Sequence, residues 1–162
     1  MTDDGPSPAA RIVRTRPYGA GVLLGAGVMA AIDEIVFHQI LAWHHFYDRD
    51  TSEIGLISDG LLHAASLFAL VGGFFLLFDA RRRGTLRPRV AWAGFLVGLG
   101  GFQLWDGIAD HKVLRVHQIR YGVDVLPYDI AWIAAGAVLL AWGITVTALL
   151  IRRQRVSAGR IR

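Results

Sequence analysis

Asp33, His38 and His44 recur as Asp106, His111 and His117, with identical internal spacing and a constant offset of 73 residues. The same offset superimposes Ala20, Gly21, Leu23, Gly25, Gly27, Ile35 and Leu41 on Ala93, Gly94, Leu96, Gly98, Gly100, Ile108 and Leu114, so ten of the 25 positions from Ala20 to His44 match. A second block follows at an offset of 70: Asp59, Ala64, Ala65, Leu70 and Gly73 are echoed by Asp129, Ala134, Ala135, Leu140 and Gly143. Self-similarity at a fixed period marks a chain made of two copies of one unit. The slip from 73 to 70 shortens one connection in the second copy.

What surrounds these repeated acids and imidazoles is apolar. The chain is 54% hydrophobic with a mean hydropathy of +0.43, above the roughly 45 to 50% of ordinary soluble domains. Four stretches reach the roughly 20 residues that a bilayer-spanning helix needs: 18–43, 54–78, 90–109 and 130–151. The first carries Asp33 and Glu34 and is too long for a cleavable signal peptide, so it is expected to stay in the mature protein. Two tandem helical hairpins, each with an even number of spans, share one orientation. The sequence therefore predicts an all-α integral membrane four-helix bundle, its halves related by a pseudo-two-fold axis along the membrane normal.

Charge orients it. Thirteen of the 17 basic residues lie before the first stretch (Arg11, Arg14, Arg16), between the second and third (Arg81, Arg82, Arg83, Arg87, Arg89) or after the fourth (Arg152, Arg153, Arg155, Arg160, Arg162). The positive-inside rule puts these three segments, and both termini, on the cytoplasmic side of the membrane. Residues 1–17 read as a disordered cytoplasmic tail, 18–79 as the first repeat, 80–89 as a basic cytoplasmic loop, 90–151 as the second repeat and 152–162 as a basic cytoplasmic tail. Basic residues that flank spans instead of forming one patch argue against nucleic acid as a partner; the bilayer is the expected partner, and a homo-oligomer is compatible with it.

At 1.5 Å per residue, Asp33 lies roughly 22 Å beyond Tyr18, in the outer half of a core about 30 Å thick. His38, His44, Asp59, His63, Asp106, Asp110, His111 and His117 all fall towards that same external end, carried by different segments. Asp59 and His63 are an i, i+4 pair, as are Glu34 and His38 and also Asp106 and Asp110. On an ideal α-helix His38 sits about 140° round from Asp33, so one face is not expected to present the whole triplet to one ion. His45 and His63 have no counterpart in the second copy, where Gln118 and Ile133 stand.

Imidazole with carboxylate, in a chain without cysteine, suits a divalent transition metal such as Zn, Fe or Cu(II) and excludes thiolate sites. The candidate metal ligands are Asp33, His38, His44, Asp59, His63, Asp106, Asp110, His111 and His117. Other readings compete with this one. Pairs such as His38 with His111 allow a bis-histidine b-type haem; Asp33, Glu34 and Asp106 allow a proton pathway; a zinc-bound water allows hydrolysis. The network could also be purely structural, with Glu34 pairing His38. Asp59 and Asp129 are placed to N-cap the returning helices. Trp43, Tyr47, Trp105, Tyr121 and Tyr128 read as an aromatic belt at the external interface.

The segments GAGVMAAIDEIVFHQILAWHHFYD, ISDGLLH and LWDGIADHKVLRVHQIRYGVDVLPYD resemble a family of bacterial integral membrane proteins described as a predicted membrane protein with a domain of unknown function. The likeness runs from Gly19 to about Gly143. It implies a multi-pass membrane protein and brings no established activity. It also suggests partners among respiratory or metal-handling membrane proteins.

Overall fold

A computed structural model describes residues 12–159. Its framework is four helices: α1 (Arg16–Ile32), which continues as a wider coil to Ile40, α2 (Ser52–Arg82), α3 (Pro88–Trp105), which continues likewise to Leu114, and α4 (Leu126–Gly159). No strand occurs among the described residues. α1 and α3 both open with proline in the first turn, where its missing N–H is not needed. The N-cap of α2 is Thr51, whose hydroxyl accepts from Ile54 N at 3.5 Å, and Arg81 and Arg82 lie in its last turn, favourable to the helix dipole. Gly84, at φ +65°, then turns the chain towards α3.

Of the segment expected to be a disordered tail, residues 1–11 lie outside the described residues. Ile12 is fully buried, Thr15 donates its hydroxyl to Ile12 O at 2.8 Å, and α1 begins at Arg16.

The helices pack in the order α2, α1, α3, α4, with α1 against α3 as the closest pairing. Glycine makes that pairing. A Cβ on Gly21 would collide with Ala91 O and one on Gly25 with Phe95 O; reciprocally, a Cβ on Gly94 would collide with Tyr18 O and one on Gly98 with Val22 O. Backbone therefore meets backbone along the whole α1/α3 seam, as small residues permit in membrane helices. Gly27 makes the same kind of approach to Ser66 and Leu70 of α2, and Gly100 to Gly136 and Leu140 of α4.

The central position of α3 changes one expectation. Three helices are long and apolar enough to cross a membrane, Arg16–Ile40, Ser52–Arg82 and Leu126–Ser157, where the sequence pattern gave four. α3 falls short because Arg89, Gln103 and four glycines dilute its apolar residues. It needs fewer of them, since Val90, Ala93, Gly94, Leu96, Gly98 and Gly100 are turned into the protein. The outer helices compensate: Leu61, Phe68, Phe75 and Val138 are each more than 60% exposed, an apolar surface that water would not tolerate and lipid would.

Gly25→Ala and Gly98→Ala should each destabilise the fold by about 1–3 kcal/mol, the usual cost of overpacking a tight contact. Gly60→Ala, whose added methyl meets nothing within 4 Å, should not. Thermal unfolding in detergent checks this, and equal Tm values for Gly25→Ala and Gly60→Ala would contradict the close seam.

Candidate metal centre

The two inner helices do not stay α-helical where they reach their polar residues. From Asp33 to Ile40, and again from Asp106 to Leu114, the backbone widens into a π-helix. Each N–H then reaches a carbonyl five residues back, as Leu41 N does to Val36 O at 2.9 Å, and residues five apart come onto one face. Gln39 Nε2 accordingly donates to Glu34 Oε1 at 2.9 Å. His38 Nε2 comes to 3.6 Å from Asp33 Oδ2, and His111 Nε2 to 3.4 Å from Asp106 Oδ2. The 140° separation expected of an ideal helix is therefore removed by the wider coil, and each Asp and His does share a face.

Each π-segment is followed by a residue in the left-handed region, Ala42 at φ +48° and Arg115 at φ +53°. An L-residue with a Cβ pays roughly 1–2 kcal/mol there. The reversal swings the following loop back over the helix end, so that His44 and His117 come down onto His38 and His111. His44 and His117 lie ring on ring, 4.6 Å apart and 5° from parallel. His38 stands 4.5 Å from His44, and His111 4.6 Å from His117, both edge-on. All four imidazoles are at least 95% buried.

Their outer nitrogens are already committed. His44 Nδ1 lies 2.9 Å from Ile119 O, and His117 Nδ1 lies 2.8 Å from Phe46 O. A carbonyl only accepts, so both Nδ1 atoms carry hydrogen, and in the neutral ring both Nε2 atoms are bare lone pairs. Burial, with His117, His38 and His111 alongside, pushes His44 down to about 2, which keeps it neutral. His38 Nδ1 donates to Asp59 Oδ1 at 3.1 Å, leaving its Nε2 bare as well; Glu34 Oε2 stands 3.0 Å from the same nitrogen without a hydrogen-bond partner. Inward-facing His38 Nε2, His44 Nε2, Asp33 Oδ2 and Asp106 Oδ1 have no hydrogen-bond partner, while His111 Nε2 and His117 Nε2 face each other at 2.9 Å. Since His117 Nε2 is bare, the hydrogen of that contact lies on His111 Nε2; around this one donor the centre gathers an excess of acceptors. Each buried group left without a partner costs about 1–3 kcal/mol, which a bound proton or a cation would relieve.

Three sets of these atoms lie close enough together to hold a metal ion: His44, His111 and His117; Asp33, His38 and His44; and Glu34, His38 and Asp59. The surroundings of the two halves differ. Asp106 Oδ2 accepts from Trp132 Nε1 at 3.0 Å, and Gly107 leaves the room for that indole; Leu62 at the matching place can donate nothing. Around His38 stand Glu34 and Asp59. Around His111 stands Asp129, 3.8 Å away and ion-paired with Lys112.

Of the residues expected to be ligands, Asp33, His38, His44, Asp106, His111 and His117 come together at the centre. Asp59 stands one step outside and accepts from His38, from His45 Nδ1 at 2.6 Å and from Phe46 N at 2.7 Å. Asp110 is buried with Oδ2 unpartnered. His63 is exposed on α2 and belongs to none of the three sets. Asp59 does not cap α2, since Thr51 does, and Asp129 lies inside α4, its N–H bonded to Val125 O. Glu34, read from the sequence as a buried acid paired with His38 or as part of a proton pathway and not as a ligand, is in one of the sets; its i, i+4 spacing to His38 was the available signal.

In metal-free protein, ¹⁵N NMR should find His44 and His117 protonated on Nδ1 and bare on Nε2. His44 should remain neutral on acidification to about pH 5, well above its lowered value. Because its pKa falls on folding, the stability it contributes is complete above 6.5 and declines as pH drops below that, where the unfolded chain takes up the proton and the native one does not. Nε2-protonated rings, or a His44 resonance titrating near 6.5, would contradict the geometry.

The family model described as Predicted membrane protein (DUF2243) matches residues 20–150. No curated protein and no solved structure matches the chain. The matched span contains the glycine seam, both π-segments and all of the imidazoles and carboxylates of the centre, and the chain belongs to this predicted membrane protein family.

Proposed function

We propose that this is a multi-pass membrane protein which binds or handles a divalent transition metal at a composite centre on the external end of the helices. The observation that carries the reading is the donor set itself: bare Nε2 lone pairs and orphaned carboxylate oxygens, buried and aimed at one another. Carboxylates and carbonyls on the far nitrogens are the partners that orient ligating histidines. Zn, Fe and Cu(II) all accept imidazole with carboxylate.

In this reading the two halves are tandem repeats about a pseudo-two-fold axis along the membrane normal, and each supplies one triad, Asp33–His38–His44 or Asp106–His111–His117. Matched pairs of contacts support it. His44 to Ile119 O mirrors His117 to Phe46 O, at offsets of 73 for both members, and the glycine contacts, the π-segments and the left-handed residues pair off in the same way. The stacking of His44 on His117 at 4.6 Å favours ions over haem, because no macrocycle fits between rings that close. A local centre also fits better than a proton path, since residues 17–32, 64–78, 90–105 and 130–151 contain no acid or histidine. The arginine clusters support a topology with both termini on the cytoplasmic side.

Elemental analysis of protein purified from membranes should find up to two ions per chain. His44→Ala with His117→Ala should abolish retention, Asp59→Ala should weaken it by about 10–100-fold as loss of an orienting partner does, and Asp124→Ala should leave it intact. Full stoichiometry in the double variant, or no metal in the wild type, overturns the reading.

Topology has its own test. The chain has no cysteine, so single cysteines at Asp50 and Asp124 are clean reporters. Both should react with an impermeant maleimide in intact cells; labelling only after lysis would invert the orientation.

A further inference from the structure

At the end of the helices remote from the histidines, two clefts adjoin between the start of α3 and the end of α4. One, of about 900 Å³, is lined by Arg87, Arg89, Arg153, Gln154 and Ser157 among others. The next, of about 440 Å³, runs along Trp92, Val146, Leu149 and Leu150. Pro88, Arg89, Leu150 and Arg153 line both, so the two are one groove with a cationic mouth and an apolar floor. No acid lines either part. Gln154, with its amide oxygen turned to Arg87, accepts from both terminal guanidinium nitrogens at 3.0 and 3.1 Å, which fixes one side of the mouth.

Comparison with the other half shows that this is more than the usual arginine excess beside a span. Seventy-three residues before Arg89 stands Arg16, and its charge is taken by Asp79 at 3.1 Å, which also pairs with Arg83 at 2.8 Å. Seventy residues beyond Asp79 stands Leu149, and 73 beyond Gly19 stands Trp92. The second half has therefore exchanged the neutralising acid for an apolar residue and added an indole. Among the described residues no carboxylate lies within 4.0 Å of Arg87, Arg89 or Arg153, the arginine ion pairs being those of Arg16 and Arg83.

We propose that this groove binds one anionic phospholipid, its phosphodiester held by Arg89 and Arg153 beside Arg87, and an acyl chain laid along Trp92, Val146 and Leu149. Planar guanidinium forks match phosphate oxygens two at a time, and basic pockets between spanning helices are where anionic headgroups are held. The apolar continuation is what distinguishes a lipid from a free phosphate: inorganic phosphate could use the mouth and would gain nothing from Trp92.

Native mass spectrometry of the detergent-solubilised full chain, titrated separately with phosphatidylglycerol, phosphatidylcholine and inorganic phosphate, tests this. Phosphatidylglycerol should bind one to one and in clear preference to the other two. Arg89→Ala with Arg153→Ala should weaken it roughly 30-fold, from about one charge-lipid contact per arginine, and Trp92→Ala should weaken it too. Arg81→Ala with Arg82→Ala, the same charge change outside the groove, should not. Should the Arg89/Arg153 variant fail to fold, Leu149→Asp, which puts an acid where the first half has Asp79, is expected to give the same loss. Equal binding of the two lipids, equal loss in both arginine pairs, phosphate binding as tight as phosphatidylglycerol, or undiminished binding in Leu149→Asp would each overturn the proposal.

Discussion

The contact on which this structure depends is backbone against backbone between α1 and α3. Four glycines, Gly21, Gly25, Gly94 and Gly98, leave no Cβ at the points of closest approach, and the helices come together until the carbonyl of one faces the Cα of the other, a geometry that weak Cα–H to oxygen contacts accompany in membranes. Lipid supplies no hydrophobic drive for two apolar helices to associate, so close packing has to do it. The consequence reaches to the far end of the same two helices. Because the axes are locked together below, the widened coils above them open side by side, and the acids and imidazoles of two separate segments fall within a few ångströms of one another. A leucine in the seam would act on the centre without touching it.

The centre is a case of polarity that burial makes expensive. Asp33, Glu34, Asp59, Asp106 and Asp110 are each 98% or more buried, in a part of the molecule where the solvent is largely hydrocarbon. Ordinary design would pair every one of them. Instead, at His38, His44 and His117 the hydrogen bonds run outward, from imidazole Nδ1 to carboxylate or carbonyl, and the Nε2 lone pairs are left inside. The two halves do this with different means: one surrounds its histidine with Glu34 and Asp59, the other neutralises Asp129 with Lys112 and steadies Asp106 with the Trp132 indole. Two triads of the same residue types in unlike surroundings have different local fields, the half around His38 being the more anionic.

Much of this was legible before any coordinates. The doubled Asp–His–His triplet, the apolar runs and the arginine clusters gave helices, their number and the end at which the polar residues meet. One helical period does not hold throughout the inner helices. At 3.6 residues per turn Asp33 and His38 diverge, yet a five-residue spacing that occurs twice is itself what a π-turn needs, and it could have been read so. Ala42 and Arg115 gave no warning, because a left-handed turn made without glycine or asparagine leaves no trace in composition. The partners of His44 and His117 were out of reach for a simpler reason: main-chain carbonyls of Ile119 and Phe46 are independent of residue type. The shortfall of α3 as a span came from treating each apolar stretch alone, when a helix flanked by protein on two sides needs fewer lipid-loving side chains.

That reciprocity of carbonyls has a wider meaning. His44 is aimed by the loop of the second half, and His117 by the loop of the first, so neither hairpin owns a finished set of donors. A chain cut in the basic loop would leave each fragment with an imidazole free to turn away. Two such fragments would regain the arrangement only by clasping one another, each lending the loop carbonyl that aims the other's ring.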